Sequence, residues 1–260
     1  MDVDVIVKTF LRPLALARLL RSIARYYPDA RITVADDGGL RQGADVNSRR
    51  ACAYIDAHPQ VRLLELPFNS GVSAGRNHLI RSTHAPFVLL LDDDYRFTEA
   101  TRVERLVGAL ESDPRVGVAA GLLLDVYKGR RYPRHVEGTL DTVGDSLVHR
   151  VGAWRDPERR ICDYVSNFFV ARREVFDSVA WRGGIGGEHY DFFMQLRATP
   201  WQVHHDASVT IDHHRTTPAL PGYRAYRQAC DEAQLAFLRR WGVRSLFMAT
   251  LVCSRVSTAP

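Results

Sequence analysis

The feature that most constrains the fold of this chain is a continuous apolar run, residues 87–91, that ends in Asp92, Asp93 and Asp94. Such a run is typical of a strand buried on both faces of a mostly parallel sheet. The carboxylates then lie at the carboxyl end of that strand, where open α/β sheets bind their ligands. Three adjacent carboxylates repel one another unless a cation lies among them, so we expect a ligand site here. The alternatives for three aspartates alone are a helix N-cap cluster or a solvated acidic turn.

The sequence around this run alternates between strand-like and helix-like patterns. Short apolar segments predict strands, and apolar side chains at helical spacing predict the helices between them. The predicted strands are residues 3–8, 31–35, 61–66 and 87–91, and the predicted helices are residues 13–28, residues 44–57 and a helix from residue 71. This order predicts an α/β fold with a mostly parallel, Rossmann-like sheet flanked by helices. Beyond residue 125 the pattern loosens, and we expect a small antiparallel region that covers one side of the cleft.

Length and composition bound the class of protein. The 260 residues are 46% hydrophobic and 25% charged, as expected for a globular enzyme of one large domain. The net charge of +5 is too diffuse to predict a nucleic-acid partner. Four widely separated cysteines form no metal-type pair, and no apolar stretch is long enough to span a bilayer. We therefore expect a cytoplasmic enzyme with reduced thiols and without a signal peptide or transmembrane segment.

Further polar side chains follow the other predicted strands. Thr9 follows the first strand, and Asp36 and Asp37 follow the second. Because the carboxyl ends of parallel strands meet at one sheet edge, these residues are expected to share a nucleotide crevice with the aspartate run. Carboxylate oxygens suit Mg²⁺ or Mn²⁺, usually together with phosphate oxygens of a substrate. Taken alone, Asp36 and Asp37 followed by two glycines are also typical of a simple turn.

Six short strings occur in a fixed order along the chain. They are Lys-Thr-Phe-Leu-Arg at residues 8–12, Ala-Asp-Asp at 35–37, Ala-Gly-Arg-Asn at 74–77, Asp-Asp-Asp-Tyr-Arg-Phe at 92–97, Asn-Phe-Phe-Val-Ala-Arg at 167–172 and Ile-Asp-His at 211–213. This order resembles the inverting glycosyltransferases of the GT-A fold, whose DxD motif corresponds to Asp92 and Asp94. Within that class, the chain is most similar to the β-1,4-N-acetylgalactosaminyltransferases of ganglioside-type synthesis. The resemblance spans residues 3–215, and the chain departs from it in having no recognisable membrane anchor and a short, different C-terminal tail.

The resemblance implies a single glycosyltransferase domain over residues 1–260. Its nucleotide-sugar-binding half would be residues 1–97, its acceptor and catalytic half residues 98–215, and its helical tail residues 216–260. Such an enzyme moves an N-acetylhexosamine or hexose from a UDP-sugar to a hydroxyl group of a glycan, a lipid-linked sugar or a natural product. The tail is predicted to contain an amphipathic helix over residues 222–241. This helix carries Arg224, Arg227, Arg239 and Arg240, which predict a solvated face, or else a contact with a membrane surface or a homodimer partner.

The resemblance also implies which residues bind the donor and its metal. The donor contacts would come from Thr9, Phe10, Arg12, Asp36, Asp37, Arg76, Asn77, Asp92 and Asp93. A diphosphate leaving group needs a divalent cation to balance its developing charge, so we expect Mn²⁺ or Mg²⁺. Asp94 and His213 would hold this metal, and Asp92 would bind the ribose or reach the metal through water.

The catalytic base is expected beside the glycine-rich string at residues 183–187. A base must accept the proton of the attacking hydroxyl, and Asp191 is the first choice because it keeps a carboxylate at the expected end of the cleft. Glu188 and His189 are close alternatives, because related enzymes often carry the base directly after a Gly-Gly-Glu string. One base opposite the leaving group predicts inversion at the anomeric carbon.

Two other functions fit parts of the sequence. A sugar-nucleotide pyrophosphorylase also combines a doubly wound sheet with metal-binding aspartates, but residues 8–13 lack the glycines of its phosphate loop. A glycosyltransferase-like module that binds nucleotide or glycan without turnover would be marked by loss of the metal carboxylates or the base. Residues of both kinds are present in this chain, so we predict an active, metal-dependent transferase.

Overall fold

The strands of this protein form two sheets in the computed structural model, which describes residues 2–215, 217–227 and 230–250. In chain order the strands are β1 (Val3–Thr9), β2 (Arg31–Asp36), β3 (Val61–Glu65), β4 (Phe87–Asp92), β5 (Tyr95–Arg96), β6 (Val116–Tyr127), β7 (Arg130–Arg134), β8 (Gly138–Val143), β9 (Ser146–Val151), β10 (Ile161–Cys162), β11 (Phe169–Arg172), β12 (Gln202–His213) and β13 (Ser245–Thr250). The main sheet has the order β10-β12-β6-β11-β4-β1-β2-β3, with β5 paired to β12 and β7 paired to β6. The small sheet has the order β13-β9-β8.

Helices cover both faces of the main sheet. They are α1 (Pro13–Tyr26), α2 (Val46–Asp56), α3 (Val72–Arg81), α4 (Val103–Ser112), α5 (Glu188–Arg197), α6 (Tyr223–Arg227) and α7 (Cys230–Arg240), with a 3-10 helix at Arg173–Asp177. Strand β1 pairs in parallel with β2 and β4, and β2 pairs in parallel with β3. The predicted α/β fold, with a mostly parallel sheet flanked by helices, is therefore confirmed. Strand β11 runs antiparallel between β4 and β6 and joins the second half of the chain to the same sheet.

The apolar run at residues 87–91 is buried on both faces of the main sheet, as its composition predicts. Leu89 and Leu91 pack into the core beneath α1, whereas Val88 and Leu90 pack into the core on the opposite face. One strand can serve both cores because its successive side chains point in opposite directions. This burial fixes the point at which the chain leaves the sheet at its carboxyl edge.

Helix α1 begins where the sequence signals predict. Pro13 lies in its first turn, where a missing N–H costs no hydrogen bond. Leu16, Leu19, Leu20 and Ile23 form its buried face. Burial of each such side chain stabilises the fold by about 1.5 to 3 kcal/mol. The opposite face of the helix remains open to solvent.

The sequence predicts a helix over residues 222–241, and the described residues of this segment are helical in α6 and α7, with residues 228–229 outside the described part of the chain. Strand β13 follows, and residues 251–260 also lie outside the described part. Phe237 and Leu238 of α7 are buried in the same core as Phe192 and Phe193 of α5. The tail is therefore packed against α5. No described helix has both the length and the apolar content needed to cross a bilayer.

Candidate active site

A cavity of about 1310 Å³ opens where the carboxyl ends of β1, β2 and β4 face the start of α5. Most of the residues predicted from the sequence line it: Phe10, Arg12, Asp37, Arg76, Asp92, Asp93, Asp94, Glu188, His189 and His213. Four predicted residues are not among its described lining residues: Thr9, Asp36, Asn77 and Asp191. The shared edge that the strand order predicts thus brings distant segments of the chain to one place.

Arg12 lies between two of the adjacent carboxylates and pairs with both. Its Nη1 is 3.0 Å from Asp93 Oδ1, and its Nη2 is 2.9 Å from Asp94 Oδ2. Thr9 also holds Asp93, because its hydroxyl donates a hydrogen bond of 2.7 Å to that carboxylate. Burial raises the pKa of Asp93 to about 7. Burial also acts on Asp94, but His213 and Arg12 outweigh it and lower the Asp94 pKa to about 2, so Asp94 is ionised at neutral pH.

Asp92 is the most accessible carboxylate of the run, with 34% of its side chain exposed. It accepts hydrogen bonds from Arg76 Nη2 at 2.9 Å and from Asn167 Nδ2 at 3.0 Å, and the Tyr95 hydroxyl lies 3.3 Å away. Asn167 and Tyr95 belong to strings noted in the sequence, but neither was predicted to be a site residue. In the sequence, each is only a polar side chain next to a buried strand, and this pattern is too common to identify a site residue. Asp92 is held in place by its neighbours and faces the cavity.

His213 faces Asp94, with 3.3 Å between Nε2 and Oδ2. Its other ring nitrogen, Nδ1, lies 2.7 Å from Asp125 Oδ1, and Asp125 pairs in turn with Arg134. Burial lowers the His213 pKa, but the neighbouring carboxylates outweigh this effect and the pKa is raised. A carboxylate on the far nitrogen is the usual support of a metal-binding histidine. Asp125 is therefore a site residue that the sequence analysis missed.

Asp94 and His213 could supply two of the ligands of a divalent cation. A carboxylate oxygen and an imidazole nitrogen that already approach each other suit Mn²⁺, and the oxygen also suits Mg²⁺. Across the described ranges of the chain, no three His, Cys, Asp or Glu side chains are grouped so that they could hold a metal ion. The remaining ligands would have to be substrate phosphate oxygens or water, as is common for hard cations in such enzymes.

The two aspartates after β2 have different surroundings. Asp36 accepts hydrogen bonds from two backbone N–H groups of the following turn, at 3.0 and 2.6 Å, and burial raises its pKa. Asp37 faces the cavity, where it pairs with Lys8 and accepts a hydrogen bond of 2.8 Å from the backbone N–H of Gly71. Asp36 thus shapes the turn, and Asp37 joins β1, β2 and the start of α3 at the cavity wall.

Arg76 is buried between the sheet edge and helix α5. Its Nη2 is 2.9 Å from Asp92, its Nη1 is 4.0 Å from Glu188 Oε1, and its guanidinium lies 4.3 Å from the ring centroid of Trp181. The next residue, Asn77, exchanges two hydrogen bonds with the backbone of Trp181, at 2.8 and 3.0 Å. Arg76 therefore reaches the cavity, while Asn77 ties α3 to the glycine-rich loop.

The first two residues of α5 both line the cavity. Glu188 Oε2 accepts a hydrogen bond of 2.9 Å from the backbone N–H of Gly186, and its other oxygen faces Arg76. His189 Nε2 lies 2.8 Å from the carbonyl oxygen of Val165, so this nitrogen donates. Among the described residues, Nδ1 of His189 is buried without a partner, and burial lowers the His189 pKa to about 4. The imidazole is therefore neutral at neutral pH.

Asp191, one turn further along α5, is fully buried and points away from the cavity wall. Its carboxylate accepts hydrogen bonds from Gln195 Nε2 at 2.7 Å, from Arg240 Nη1 at 2.9 Å and from Trp241 Nε1 at 2.9 Å. Both oxygens are therefore engaged by protein groups. The side chain links α5 to the end of α7.

A mostly parallel sheet with an Asp-x-Asp string at the edge of one large cavity is the arrangement expected of glycosyltransferases with the GT-A fold. The strand order and the residues at the sheet edge fit that class. The chain belongs to glycosyl transferase family 2, whose family model matches residues 4–180. The prediction of a glycosyltransferase with the GT-A fold is therefore confirmed.

Two curated relatives are named glycosyltransferases and share about 30% of their aligned residues with this chain. The chain is 31% identical over 218 residues to Beta-1,4 N-acetylgalactosaminyltransferase 1 of Homo sapiens, a match that covers 81% of this chain and 38% of the relative. It is 30% identical over 240 residues to Beta-1,4 N-acetylgalactosaminyltransferase 2 of Mus musculus, which covers 88% of this chain and 43% of the relative. The resemblance read from the six strings is thus confirmed. The chain spans less than half the length of these relatives.

Solved structures support the fold. TarS of S. aureus, in complex with UDP-GlcNAc, matches with a TM-score of 0.60 at 16% identity, over 84% of this chain and 60% of that chain. Mannosyltransferase PcManGT from Pyrobaculum calidifontis, in complex with GDP-Man and Mn²⁺, matches with a TM-score of 0.60 at 16% identity, over 92% of this chain and 64% of that chain. At such identities the likeness establishes the fold alone.

Proposed function

We propose that this protein transfers an N-acetylhexosamine or hexose from a UDP-sugar to a hydroxyl acceptor, with a divalent metal and with inversion at the anomeric carbon. The observation that carries the proposal is the approach of His213 Nε2 to Asp94 Oδ2, 3.3 Å apart, on the wall of a cavity that Glu188 also lines. The names of the curated relatives support the N-acetylhexosamine, and the complexes of the structural neighbours with UDP-GlcNAc and with Mn²⁺ support the kind of donor and cofactor.

The nucleoside would bind at the end of the cavity formed by β1 and β2. Lys8 and Asp37 supply polar groups there, and Phe10 supplies an aromatic face. Phe10 packs with Phe68 and Tyr226 at centroid distances of 5.6 and 5.3 Å, so three rings meet at this end. A planar base can stack on such a surface while its polar edge meets the charged pair.

The diphosphate would lie between this end and helix α5. Asp94 and His213 would hold the metal, which stabilises the negative charge that develops on the departing diphosphate. Arg76 supplies a buried positive charge beside Asp92, and Arg12 keeps Asp93 and Asp94 close together despite their repulsion. These groups hold one another in place, which is the preorganised arrangement that electrostatic catalysis needs.

Glu188 would act as the general base. In the reaction, the acceptor hydroxyl oxygen forms a bond to the anomeric carbon, and the bond from that carbon to the diphosphate oxygen breaks. The hydroxyl proton passes to the Glu188 carboxylate, and the diphosphate leaves with the bonding electron pair. Attack from the side opposite to the leaving group inverts the anomeric configuration.

The alternatives to Glu188 are less suited to this role. Both oxygens of Asp191 accept hydrogen bonds inside the protein, and the residue does not line the cavity. His189 has a pKa lowered to about 4 by burial, which makes it a weak base at neutral pH. We therefore move the proposed base from the first choice of the sequence analysis, Asp191, to Glu188.

Calorimetric titration with UDP, with and without Mn²⁺, tests the donor and metal sites. We expect metal-dependent binding in the micromolar range, or about 7 to 8 kcal/mol, and at least a tenfold weaker affinity for Asp94→Asn. The matched control is Asp145→Asn, because Asp145 is exposed and does not line the cavity. A parallel titration with GDP decides between the two nucleotides present in the neighbours' complexes.

Equal UDP binding with and without metal would contradict the metal site, and binding of GDP in place of UDP would contradict the donor. Metal-dependent binding without turnover on any hydroxyl acceptor would favour the non-catalytic module. Incubation of the enzyme with UDP-N-acetylhexosamines and a panel of hydroxyl acceptors then reports transfer, and the anomeric configuration of the product reports inversion.

A further inference from the structure

A second cavity, of about 510 Å³, lies behind the aspartate run, between helix α1 and strand β5. Its described lining residues are Ala15, Arg18, Arg21, Ser22, Arg25, Tyr26, Asp94, Tyr95, Arg96, Phe97, His214 and Thr217. We call it the basic cavity, because four of these side chains are arginines. It adjoins the cavity of about 1310 Å³ that would bind the UDP-sugar, which we call the donor cavity. The two share Asp94, Tyr95 and Thr217, and the other lining residues of the basic cavity are separate.

The arginines of the basic cavity are not neutralised by the protein. Throughout the described ranges, no carboxylate lies within ion-pair distance of Arg18, Arg21, Arg25 or Arg96. Some other exposed arginines have such partners, such as Arg105 with Asp206 at 2.9 Å, whereas Arg62 and Arg81 have none among the described residues, so it is their grouping around one cavity that distinguishes these four. Four like charges around one cavity repel one another, and a bound anion would reduce this repulsion.

The single acidic residue among the described lining residues cannot fill this role. Asp94 is held by Arg12 at 2.9 Å and faces His213 at 3.3 Å, on the side of the donor cavity. Its charge is therefore already balanced outside the basic cavity. The described lining residues therefore supply no free negative charge to the four arginines, and a ligand from solution could supply it.

A second, independent observation points to a ligand. His214 lines the basic cavity, and its Nε2 is buried with no hydrogen-bond partner among the described residues. Its backbone N–H donates to the carbonyl oxygen of Asp94 at 2.9 Å, which fixes the residue at the wall. A buried polar atom without a partner is unfavourable, and a ligand that reaches this wall of the basic cavity could supply the missing partner.

The arginine spacing defines the kind of ligand. Arg18, Arg21 and Arg25 follow one another at three and four residues on the solvent face of α1, so they form a row about 10 Å long. Arg96 faces this row from β5. Guanidinium groups bind phosphate oxygens in a bidentate manner, and a row of them suits several charges. We propose that the basic cavity binds a multiply charged, phosphate-bearing ligand, either a soluble polyphosphate or the headgroups of anionic lipids.

The test uses the full chain without divalent metal, in the presence of EDTA. Inorganic tripolyphosphate is titrated calorimetrically, and co-sedimentation with vesicles of phosphatidylcholine and phosphatidylglycerol is measured in parallel. We expect one or both probes to bind, and the variant Arg18→Gln/Arg96→Gln to weaken that binding by about tenfold or more, because two charge-assisted contacts are lost. A second pair, Arg21→Gln/Arg25→Gln, should act in the same direction.

Two control variants separate this proposal from simpler explanations. Arg62→Gln/Arg81→Gln removes the same charge from exposed positions outside both cavities and should change binding less than twofold. Arg76→Gln removes a charge from the donor cavity without touching Asp94 and should also leave binding of the probe nearly unchanged. Binding of tripolyphosphate assigns the site to a soluble phosphate, and binding of vesicles alone assigns it to lipid headgroups.

Three results would overturn the proposal. Equal losses in the test pair and the Arg62/Arg81 control would show a non-specific charge effect. Loss in Arg76→Gln without loss in the test pair would move the anion to the donor cavity. Failure of both probes to bind the unmodified chain would remove the site altogether.

Discussion

The two walls of the large cavity are built in different ways. The sheet edge consists of Arg12, Asp37 and the run of residues 92–94, which follow β1, β2 and β4 directly. The helix wall consists of Glu188 and His189 at the start of α5, and α5 is held by contacts with α7, about fifty residues later in the chain. The sheet edge is thus a local consequence of strand order, whereas the helix wall depends on how the tail packs.

The difference between these walls predicts that metal and nucleotide binding can be separated from chemistry. In Glu188→Gln, the sheet edge is untouched, so Mn²⁺-dependent UDP affinity should stay within twofold of the unmodified enzyme. The loss of a general base should lower kcat by about 10² to 10⁴. Steady-state kinetics and UDP calorimetry on the same preparation measure both effects.

The matched control for this variant is Glu99→Gln, because Glu99 is exposed and does not line the cavity. It should leave kcat and UDP affinity unchanged. Unchanged kcat in Glu188→Gln would contradict the proposed base and return the assignment to Asp191 or His189.

Asp191 should affect the stability of the helix wall more than its chemistry. In Asp191→Asn, the charge opposite Arg240 is lost and an amide NH₂ faces the donor of Gln195. We expect the free energy of unfolding to fall by about 3 kcal/mol, as for other buried charge-assisted hydrogen bonds that are broken on one side. Chemical denaturation measures this loss. Below the unfolding transition, kcat should remain well above that of Glu188→Gln.

The control substitution is Asp145→Asn, at an exposed aspartate whose loss should change stability by less than about 0.5 kcal/mol. Full stability of Asp191→Asn together with loss of turnover would restore Asp191 as the base. A double-substitution cycle with Arg240→Gln then measures how much of the effect belongs to that ion pair.

The sheet edge should show its own signature in the pH dependence of stability. The pKa of Asp94 is lowered from 3.8 to about 2, so its contribution is present above pH 4 and is lost as the pH falls through about 2. The pKa of His213 is raised above 6.5, so its contribution to stability is present below pH 6.5 and is lost as the pH rises through the raised value.

The unfolding free energy of the metal-free, unmodified protein should therefore be about 2 kcal/mol higher than that of Asp94→Asn between pH 4 and 6.5. Urea unfolding at a series of pH values measures this difference, and a difference that does not vary with pH would contradict the pairing.

The residues at the sheet edge can be located from the sequence because each strand is marked by its own apolar pattern and each polar residue follows the end of such a pattern. The run at residues 87–91 alternates between two cores, as an apolar strand in a parallel sheet must, and its end places Asp92 at the carboxyl edge. Strand order then brings Asp37 and Arg12 to the same cavity. Even here, the role of Asp36 in its turn was only one of two alternatives, because the same string fits a ligand contact.

The helix wall could not be predicted in the same way. The roles of Asn77 and Asp191 depend on partners far away in the chain, namely the backbone of Trp181 and the side chains of Arg240 and Trp241. No local pattern in the sequence predicts these contacts. A carboxylate beside a glycine-rich string looks the same whether it faces the cavity or the tail, so the choice between Glu188 and Asp191 needed the fold.

The smallest expected effect concerns the contact between the glycine-rich loop and α7. A Cβ atom at Gly187 would lie 2.8 Å from Phe237 Cβ and 2.9 Å from the carbonyl oxygen of Ala233, so Gly187→Ala must push α7 away. We expect a loss of about 1 to 2 kcal/mol in unfolding free energy, as for other overpacked sites, and a several-fold fall in kcat, because Glu188 is the next residue. Mn²⁺-dependent UDP affinity should be unchanged.

The control is Gly108→Ala in α4, where no atom lies within 4 Å of the added carbon. This substitution should not destabilise the protein. If Gly187→Ala weakens UDP binding as strongly as it lowers kcat, the two walls of the cavity are coupled and the distinction between them fails.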